Sequence, residues 1–223
     1  NKHNEKLLSH NKILNDLDLE SLHFTNDLGT DLVVKLVEDH IWAGGGENST
    51  KGVYFNPNIP TEENFTMPHK FGVDGRVVAT KPLNYNGNLI EDFYLDFKDG
   101  AVVNYDAKKS LDTLKSLIEF DEGSSRLGEV ALISYDSPIS NSNILFYNTL
   151  FDENASCHLA LGRAYPMNIK GGTKMTQEEL AEANSNNSMT HVDFMFGSAD
   201  MSIVGTKKDG TKVQVFKNGD FVI

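Results

Sequence analysis

The sequence contains a single cysteine, Cys157, among its 223 residues. One cysteine cannot form an internal disulfide, and such sparse usage fits a reducing compartment. It also leaves no second thiolate for a cysteine-rich metal site. We therefore expect a cytoplasmic protein, in which any bound metal is held by carboxylates and imidazoles.

Clustered positive charge, long apolar runs and nucleotide-binding motifs are also missing. The net charge is -12 and no run of Lys or Arg exceeds two residues, which leaves no electrostatic footprint for nucleic acid or an anionic membrane. No apolar run approaches the ~18 residues needed to cross a bilayer, and nothing at the start resembles a signal peptide. Three glycines at 44–46 indicate a turn or a close backbone approach, but no GxxxxGK and no GxGxxG accompanies them. Nucleic acid, membrane and nucleotide are therefore not expected as partners.

What the sequence does contain predicts one folded domain of the α+β class. Its 39% apolar content is sufficient to fill a core. Short strand-like segments alternate with turn signals, namely Lys98-Asp99-Gly100, Asp209-Gly210 and Asn218-Gly219. We predict a β-rich, mixed or antiparallel curled sheet with hairpins and a few covering helices.

Hydrophobic periodicity predicts the individual elements. The helical spacing predicts helices at 6–17, 107–120 and 176–183, the last beginning with a capping box of Thr176 and Glu179. Two prolines make 56–66 an ordered loop. Alternation or short apolar runs predict strands at 31–42, 76–80, 89–97, 101–105, 127–133, 144–151 and around 191–193.

The segment 128–193 combines ionisable side chains with apolar runs. Its candidate site residues are Glu129, Glu153, His158, Tyr165, His191 and Asp193. His191 and Asp193 are two residues apart in a strand-like run, so both side chains leave the same face. Because burying unpaired charge is costly, a cation is expected among these groups. Oxygen and nitrogen ligands suit one or two divalent ions such as zinc, manganese or cobalt.

Some of these residues also have ordinary structural explanations. Glu129 can form a buried salt bridge with Arg126 or Arg163, and Tyr165 can be a half-buried core residue. His158 lies five residues after Glu153, which excludes the i, i+4 pairing of a His-Glu-x-x-His helix.

The acidic pair Glu62 and Glu63 lies in the predicted loop and has a similar alternative, a solvated acidic turn. In an extended segment the two side chains point to opposite sides. At most one of them is therefore expected to enter a shared site.

Four segments resemble the thermophilic metalloaminopeptidase family, of the aminopeptidase T and PepS type. They are 58–66, 126–132, 148–158 and 188–195, which read NIPTEENFT, RLGEVAL, NTLFDENASCH and SMTHVDFM. The resemblance implies metal ligands at Glu63, Glu129, His158, His191 and Asp193. It also implies that Glu153 belongs to the metal site and that Tyr165 lies beside it.

The resemblance further implies a domain organisation and partners. Residues 1–223 would be a single metal-binding catalytic domain, the C-terminal part of a longer two-domain protein. The substrates would be peptides with a free N-terminus. We expect the full-length protein to be a homodimer.

A dinuclear hydrolytic mechanism follows from this ligand set. Glu129 can offer one carboxylate oxygen to each of two divalent ions, and a bridging solvent molecule becomes hydroxide near neutral pH. Glu62 or Glu153 would carry the proton to the leaving amine, and the phenol of Tyr165 would donate to the oxyanion. Binding of the free α-amino group to one ion would make the enzyme an aminopeptidase.

Two other functions remain open at this point. The domain can be a metal-stabilised binding or dimerisation module without turnover. It can also be a cysteine hydrolase that uses Cys157 and His191. An open coordination position with spare glutamates favours the metalloenzyme, because a structural site closes its coordination with protein ligands.

Overall fold

The computed structural model describes residues 2–223, and these contain five α-helices and fifteen strands. The helices are α1 (Lys2–Leu17), α2 (Leu111–Ile118), α3 (Pro138–Ser142), α4 (Thr149–Asp152) and α5 (Gln177–Glu182). The strands are β1 (Leu19–Thr25), β2 (Asp31–Leu36), β3 (Glu47–Asn48), β4 (Tyr54–Phe55), β5 (Asn64–Thr66), β6 (Pro68–Val78), β7 (Leu83–Tyr85), β8 (Asn88–Lys98), β9 (Ala101–Lys109), β10 (Leu127–Leu132), β11 (His158–Gly162), β12 (His191–Met195), β13 (Ser202–Lys207), β14 (Lys212–Lys217) and β15 (Asp220–Phe221).

The strands form three sheets, and each pairing between them is antiparallel. The largest has nine strands in the order β15-β14-β13-β1-β2-β6-β8-β7, with β9 also paired to β8. A four-stranded sheet has the order β12-β11-β10-β5, and β3 pairs with β4. This arrangement confirms the predicted α+β class with antiparallel pairing. None of the helices in residues 2–223 is long and apolar enough to cross a membrane.

The large and the four-stranded sheets enclose one hydrophobic core. Aromatic pairs join them: the ring of Phe24 in β1 lies 5.2 Å from that of Phe196, directly after β12, and Phe93 in β8 lies 5.7 Å from Phe194 in β12. Edge-on and tilted pairs at these distances are favourable beyond their buried area. The four-stranded sheet thus presents one face to the core and leaves the other available.

Helix α1 covers the predicted segment and extends it to Lys2. Its buried face carries Leu7 and Leu14 but also two asparagines, Asn4 and Asn11. A buried amide needs hydrogen-bond partners. The Asn11 side chain donates to the carbonyl of Gly44 at 3.0 Å, so the helix is joined to the chain by polar as well as apolar contacts.

Several predicted elements had wrong boundaries, and the strand predicted at 76–80 is the end of β6, which begins at Pro68. The strand predicted at 31–42 ends at Leu36, and Asp39 has a positive φ of 57°, which extended backbone does not adopt. The helix predicted at 107–120 begins only at Leu111, because 107–109 continue β9 in its ladder with β8 and Ser110 turns the chain at φ 61°. The loop predicted at 56–66 ends in the short strand β5.

The strand predicted at 144–151 was wrong in type. Asn148 caps helix α4 there by accepting a hydrogen bond from the Leu150 amide. The Asp152 carboxylate accepts from the amides of Phe146 and Asn148 at 2.7 and 3.0 Å. Side chains that bond local backbone amides compete with a sheet ladder. These two polar residues therefore decided the structure of an otherwise apolar run.

Replacing Phe24 by alanine is expected to lower the free energy of unfolding by about 3–5 kcal/mol, because the buried ring joins the two sheets. Phe120→Ala removes a ring that is 53% exposed and is the matched control, expected to change stability by about 0.5 kcal/mol or less. Urea denaturation of both variants measures the difference. Equal losses would contradict the assignment of Phe24 to the inter-sheet core.

Candidate metal centre

Neighbouring strands of the four-stranded sheet bring most of the candidate residues together. Glu129 in β10 pairs with Ala160 in β11, which pairs with Asp193 in β12. Residues paired directly across an antiparallel ladder share a face. His158 and His191, each two residues along its strand from this row, therefore lie on the same face.

Small residues on that face leave room for the site. Ala160 lies between Glu129 and Asp193, Gly162 pairs with His191, and Ala131 pairs with His158. The opposite face carries buried apolar residues, which pack into the core: Val130, Leu159, Leu161 and Phe194. Alternation along the strands therefore puts the core on one side of the sheet and the ionisable groups on the other.

Glu63, Glu153 and Tyr165 reach the site from outside these strands. Glu63 immediately precedes the edge strand β5, and Glu153 begins a 3₁₀ turn after α4. Both carboxylates are buried. Tyr165 is 41% exposed, and its ring lies 4.5 Å from that of His191.

Both histidines direct one ring nitrogen at carboxylates. Nε2 of His158 lies 3.1 Å from Glu63 and 3.4 Å from Glu129. Nε2 of His191 lies 3.4 Å from Asp193 and 3.8 Å from Glu129.

Backbone carbonyls hold the other ring nitrogens. Nδ1–H of His191 donates to the carbonyl of Arg163 at 2.7 Å, and Nδ1–H of His158 donates to that of Ser156 at 3.3 Å. Such partners fix the tautomer that leaves Nε2 free for a metal.

The donor atoms fall into two groups that share one residue. Glu63, Glu129 and His158 form the first, and Glu129, His191 and Asp193 form the second, with the ligand atoms of each group within 4.8 Å of one another. Nε2 of His158 and Oδ1 of Asp193 are buried without a hydrogen-bond partner of suitable geometry. Buried polar atoms without partners are costly. The donor set therefore fits divalent metal ions.

Burial and mutual repulsion shift the pKa values of the carboxylates. Burial raises the pKa of Glu129 to about 7, with the charges of Glu63 and Asp193 adding to the effect. Burial and the charge of Asp193 raise the pKa of Glu153 to about 8. For Tyr165, burial and the charge of Glu129 raise the pKa to about 12.

The imidazoles shift in the direction that keeps them protonated. Burial opposes the charge on His191, but the Asp193 and Glu129 carboxylates outweigh it and raise the pKa to about 9. The pKa of His158 is likewise raised, against burial, by Glu129 and Glu63. Without a metal, protons supply the positive charge of this cluster.

The structural alternatives for Glu129 and Tyr165 do not hold. The Arg126 guanidinium donates to the carbonyls of Lys70 and Asp99 at 3.2 and 3.1 Å, and the side chain of Arg163 is exposed. Neither arginine forms a salt bridge with Glu129 among the described residues. Tyr165, which lines the cleft, is not a core residue.

Glu62 and Cys157 lie outside the cluster. The Glu62 carboxylate points away from Glu63, as the alternation predicts, and lies 3.8 Å from Nε2 of His3. The Cys157 side chain is buried against the backbone of Ile133, and burial raises the pKa of its thiol to about 11. A buried thiol with a raised pKa is a poor nucleophile, so the cysteine-hydrolase alternative is wrong.

An open cleft of about 740 Å³ gives access to the cluster. Glu63, Glu129, Glu153 and Asp193 line it, together with Glu47 at the edge, and no lysine or arginine of the described chain does. The cleft therefore favours a cationic group.

Sequence patterns did not reveal the groups that hold the site in place. The carbonyls of Ser156 and Arg163 bind the histidines through backbone atoms, which every residue possesses. Asn154 is buried in the recognised segment 148–158, and its side chain accepts from the Glu62 amide and donates to the Leu150 carbonyl. The only feature of the sequence that pointed to such a group was a polar residue, Asn154, next to Glu153.

Zinc is expected to raise the melting temperature of the chain, and more strongly at pH 8 than at pH 6. At pH 6 Glu129 and His191, whose pKa values are raised to about 7 and about 9, hold protons that an ion must displace. Each displaced proton weakens metal binding by about 1.4 kcal/mol for every pH unit below its pKa. A hundredfold excess over the dissociation constant stabilises the folded form by about 2.7 kcal/mol.

Thermal melts with chelator and with zinc at each pH measure this effect. Glu129→Gln, which alters the residue common to both groups, is the control and should show little shift. No rise with zinc, cobalt or manganese, or an equal rise in Glu129→Gln, would mean that these residues do not hold the metal.

Comparison with known proteins agrees with this geometry. The chain is 53% identical to Aminopeptidase 2 of Geobacillus stearothermophilus over 220 residues, which are 99% of the chain and 53% of that protein. It is 55% identical to Aminopeptidase AmpS of Bacillus subtilis (strain 168) over 214 residues, 95% of the chain and 52% of that protein. The chain thus spans about half the length of these relatives.

A solved structure and a family model cover the chain almost completely. Wild-type AmpT from Thermus thermophilus superposes with a TM-score of 0.94 at 42% identity, over 100% of this chain and 54% of that one. The model of the thermophilic metalloprotease (M29) family matches residues 1–221. The chain therefore belongs to the thermophilic metalloprotease (M29) family.

Proposed function

We propose that this chain carries the catalytic metal centre of an aminopeptidase that removes the N-terminal residue from peptides. The observation that carries the proposal is the pair of donor groups that share Glu129 at the floor of an acidic cleft. Membership of a metalloprotease family and relatives named aminopeptidases support it. Relatives of about twice the length also support a longer protein, of which residues 1–223 form one metal-binding catalytic domain.

Two divalent ions, zinc, cobalt or manganese, would occupy the site. Glu63, Glu129 and His158 would hold one, and Glu129, His191 and Asp193 the other. When bound, such a pair supplies a hydroxide near neutral pH, an anchor for the α-amino group and a Lewis acid for the scissile carbonyl. The orphaned Nε2 of His158 and Oδ1 of Asp193 support this division of ligands.

Glu153 is the proposed proton carrier, in preference to Glu62. It belongs to neither donor group, so its carboxylate would remain free to accept and release a proton, which general acid–base catalysis requires. It lines the cleft and Glu62 does not. Glu153 would take the proton from the attacking water and deliver it to the leaving amine.

Tyr165 would stabilise the tetrahedral oxyanion. With its pKa raised to about 12, the phenol stays protonated at neutral pH and remains a hydrogen-bond donor. Its ring stacks on that of His191 while the side chain keeps part of its surface open to the cleft. Binding to a substrate oxygen requires this exposure, because a fully buried phenol cannot reach one.

The charge of the cleft accounts for a preference for free amino ends. Carboxylates line the cleft without a lysine or arginine of the described chain. The amino end of a peptide is therefore favoured there over its carboxyl end. A peptide's own N-terminus is then drawn to the cluster. The scissile bond nearest to that terminus lies within reach of Glu153 and Tyr165.

Glu153→Gln in the full-length protein is expected to lower kcat by about 10²–10⁴, because the amide cannot shuttle a proton. Its metal content should remain, whereas Glu129→Gln should lose both activity and metal. Cys157→Ala changes a residue outside the proposed catalytic site, so it is the control and should keep nearly full activity. Rates on aminoacyl-nitroanilides with parallel metal analysis test this. Metal bound without turnover in the parent would instead favour a binding module.

Peptides with and without an N-terminal acetyl group are expected to differ strongly in cleavage. Acetylation removes the charge and the lone pair of the amine, so the acetylated member should be cleaved at less than about one hundredth of the rate, a loss of roughly 2.7 kcal/mol. Mass spectrometry of a matched pair of otherwise identical peptides measures the ratio. Equal cleavage would exclude anchoring through the amino group.

A further inference from the structure

Glu63 differs from the other ligand candidates in how its backbone is held. Of the five residues in the two donor groups, Glu129, His158, His191 and Asp193 lie within β10, β11 and β12. Sheet ladders fix the backbone of those four. Glu63 precedes the three-residue edge strand β5 and follows a loop, so other contacts must determine where its carboxylate lies.

The residue after Glu63 is tied to helix α1. Asn64 is fully buried and donates from Nδ2 to Oδ1 of Asn11 at 2.6 Å and to the carbonyl of Leu7 at 2.9 Å. Adjacent side chains of extended backbone point to opposite sides. Glu63 faces the cleft and Asn64 faces the helix, so a bond at Asn64 restrains the backbone from which Glu63 projects.

Asn11 also holds the chain segment that packs on Glu63. Its Nδ2 donates to the carbonyl of Gly44 at 3.0 Å. A Cβ at position 44 would lie 2.0 Å from the carbonyl oxygen of Glu63, so the two backbones are in direct contact there. Ala43 and Phe65 exchange two backbone hydrogen bonds beside this contact, at 2.9 and 3.0 Å. The Asn11 side chain thus binds both Asn64, which follows Glu63, and Gly44, which packs on the Glu63 backbone.

We propose that Asn11 is a positioning residue for Glu63, acting through Asn64 and Gly44. It sets the affinity of the ion held by Glu63, Glu129 and His158, while the ion held by Glu129, His191 and Asp193 depends on the sheet ladders. This inference rests on the proposed dinuclear site. Removal of groups that orient a ligand typically weakens metal binding by about 10–100-fold.

The same helix offers a control one turn later, at a position that is exposed whereas Asn11 is buried. Asn15 donates to the carbonyl of Trp42 at 3.1 Å and accepts from the Trp42 amide at 2.9 Å. Asn11 and Asn15 thus each make two hydrogen bonds that link α1 to the remainder of the chain. Asn15 has no bond to Asn64 or Gly44. Asn15→Ala therefore reproduces the loss of bonds without releasing Glu63.

Zinc titration of the metal-free 223-residue chain, by calorimetry and metal analysis, tests the proposal. The parent is expected to bind two ions. In Asn11→Ala one should bind at least about tenfold more weakly and the other within about twofold of the parent. Asn15→Ala should keep both affinities.

A double variant identifies which ion is affected. In a Glu63→Gln background, Asn11→Ala should change zinc affinity no further, because both substitutions act on one site. Equal weakening of both ions, unchanged binding in Asn11→Ala, or the same loss in Asn15→Ala would overturn the role of Asn11. A parent chain that binds fewer than two zinc ions would instead overturn the dinuclear site itself, and this inference with it.

Discussion

Four carboxylates and two imidazoles lie against one another here without a lysine or arginine among them, and all but His191 are buried. Burial, with the charges of Glu63 and Asp193, raises the pKa of Glu129, and Nε2 of His158 is buried without a hydrogen-bond partner of suitable geometry. Divalent ions bound at the proposed site would offset this cost of burial, since each would replace protons with a larger positive charge. The surrounding structure holds these groups together in the metal-free protein.

The four-stranded sheet makes this possible by separating its faces. Its apolar face is joined to the large sheet through rings such as Phe93 and Phe194, so the core stabilises strands that carry destabilising groups on the other side. Alanines on the polar face, Ala131 and Ala160, have short side chains beside the site. A larger side chain there would fill the site.

The residues proposed to act on the substrate come from segments outside that sheet. Glu153 lies in a turn after α4, and Tyr165 in a loop beside β11, whereas the two histidines lie in strands whose carbonyl partners fix their tautomers. The four proposed ligands in β10, β11 and β12 thus have rigid supports, whereas the groups proposed to act on the substrate lie in a turn and a loop. This division suits a hydrolase, because ligand geometry must persist while acid and base groups change their contacts during turnover.

The sequence by itself determined the class of the fold, the residue types of the site and the family. Alternation put His191 and Asp193 on one strand face and Glu62 opposite Glu63, because a strand has a strict period of two. Hydrophobic patterns were insufficient where hydrogen bonds decided the outcome. The run 144–151 forms a turn and a helix because Asp152 binds its backbone amides. Strand β9 continues through 107–109, where a helix was predicted, because these residues pair with β8. Only the tertiary structure decided that Glu153 joins the cluster and Glu62 does not, and that Cys157 is buried. It also decided that α1 holds the backbone around Glu63 through Asn11. These depend on residues tens of positions apart, whose meeting no local spacing encodes.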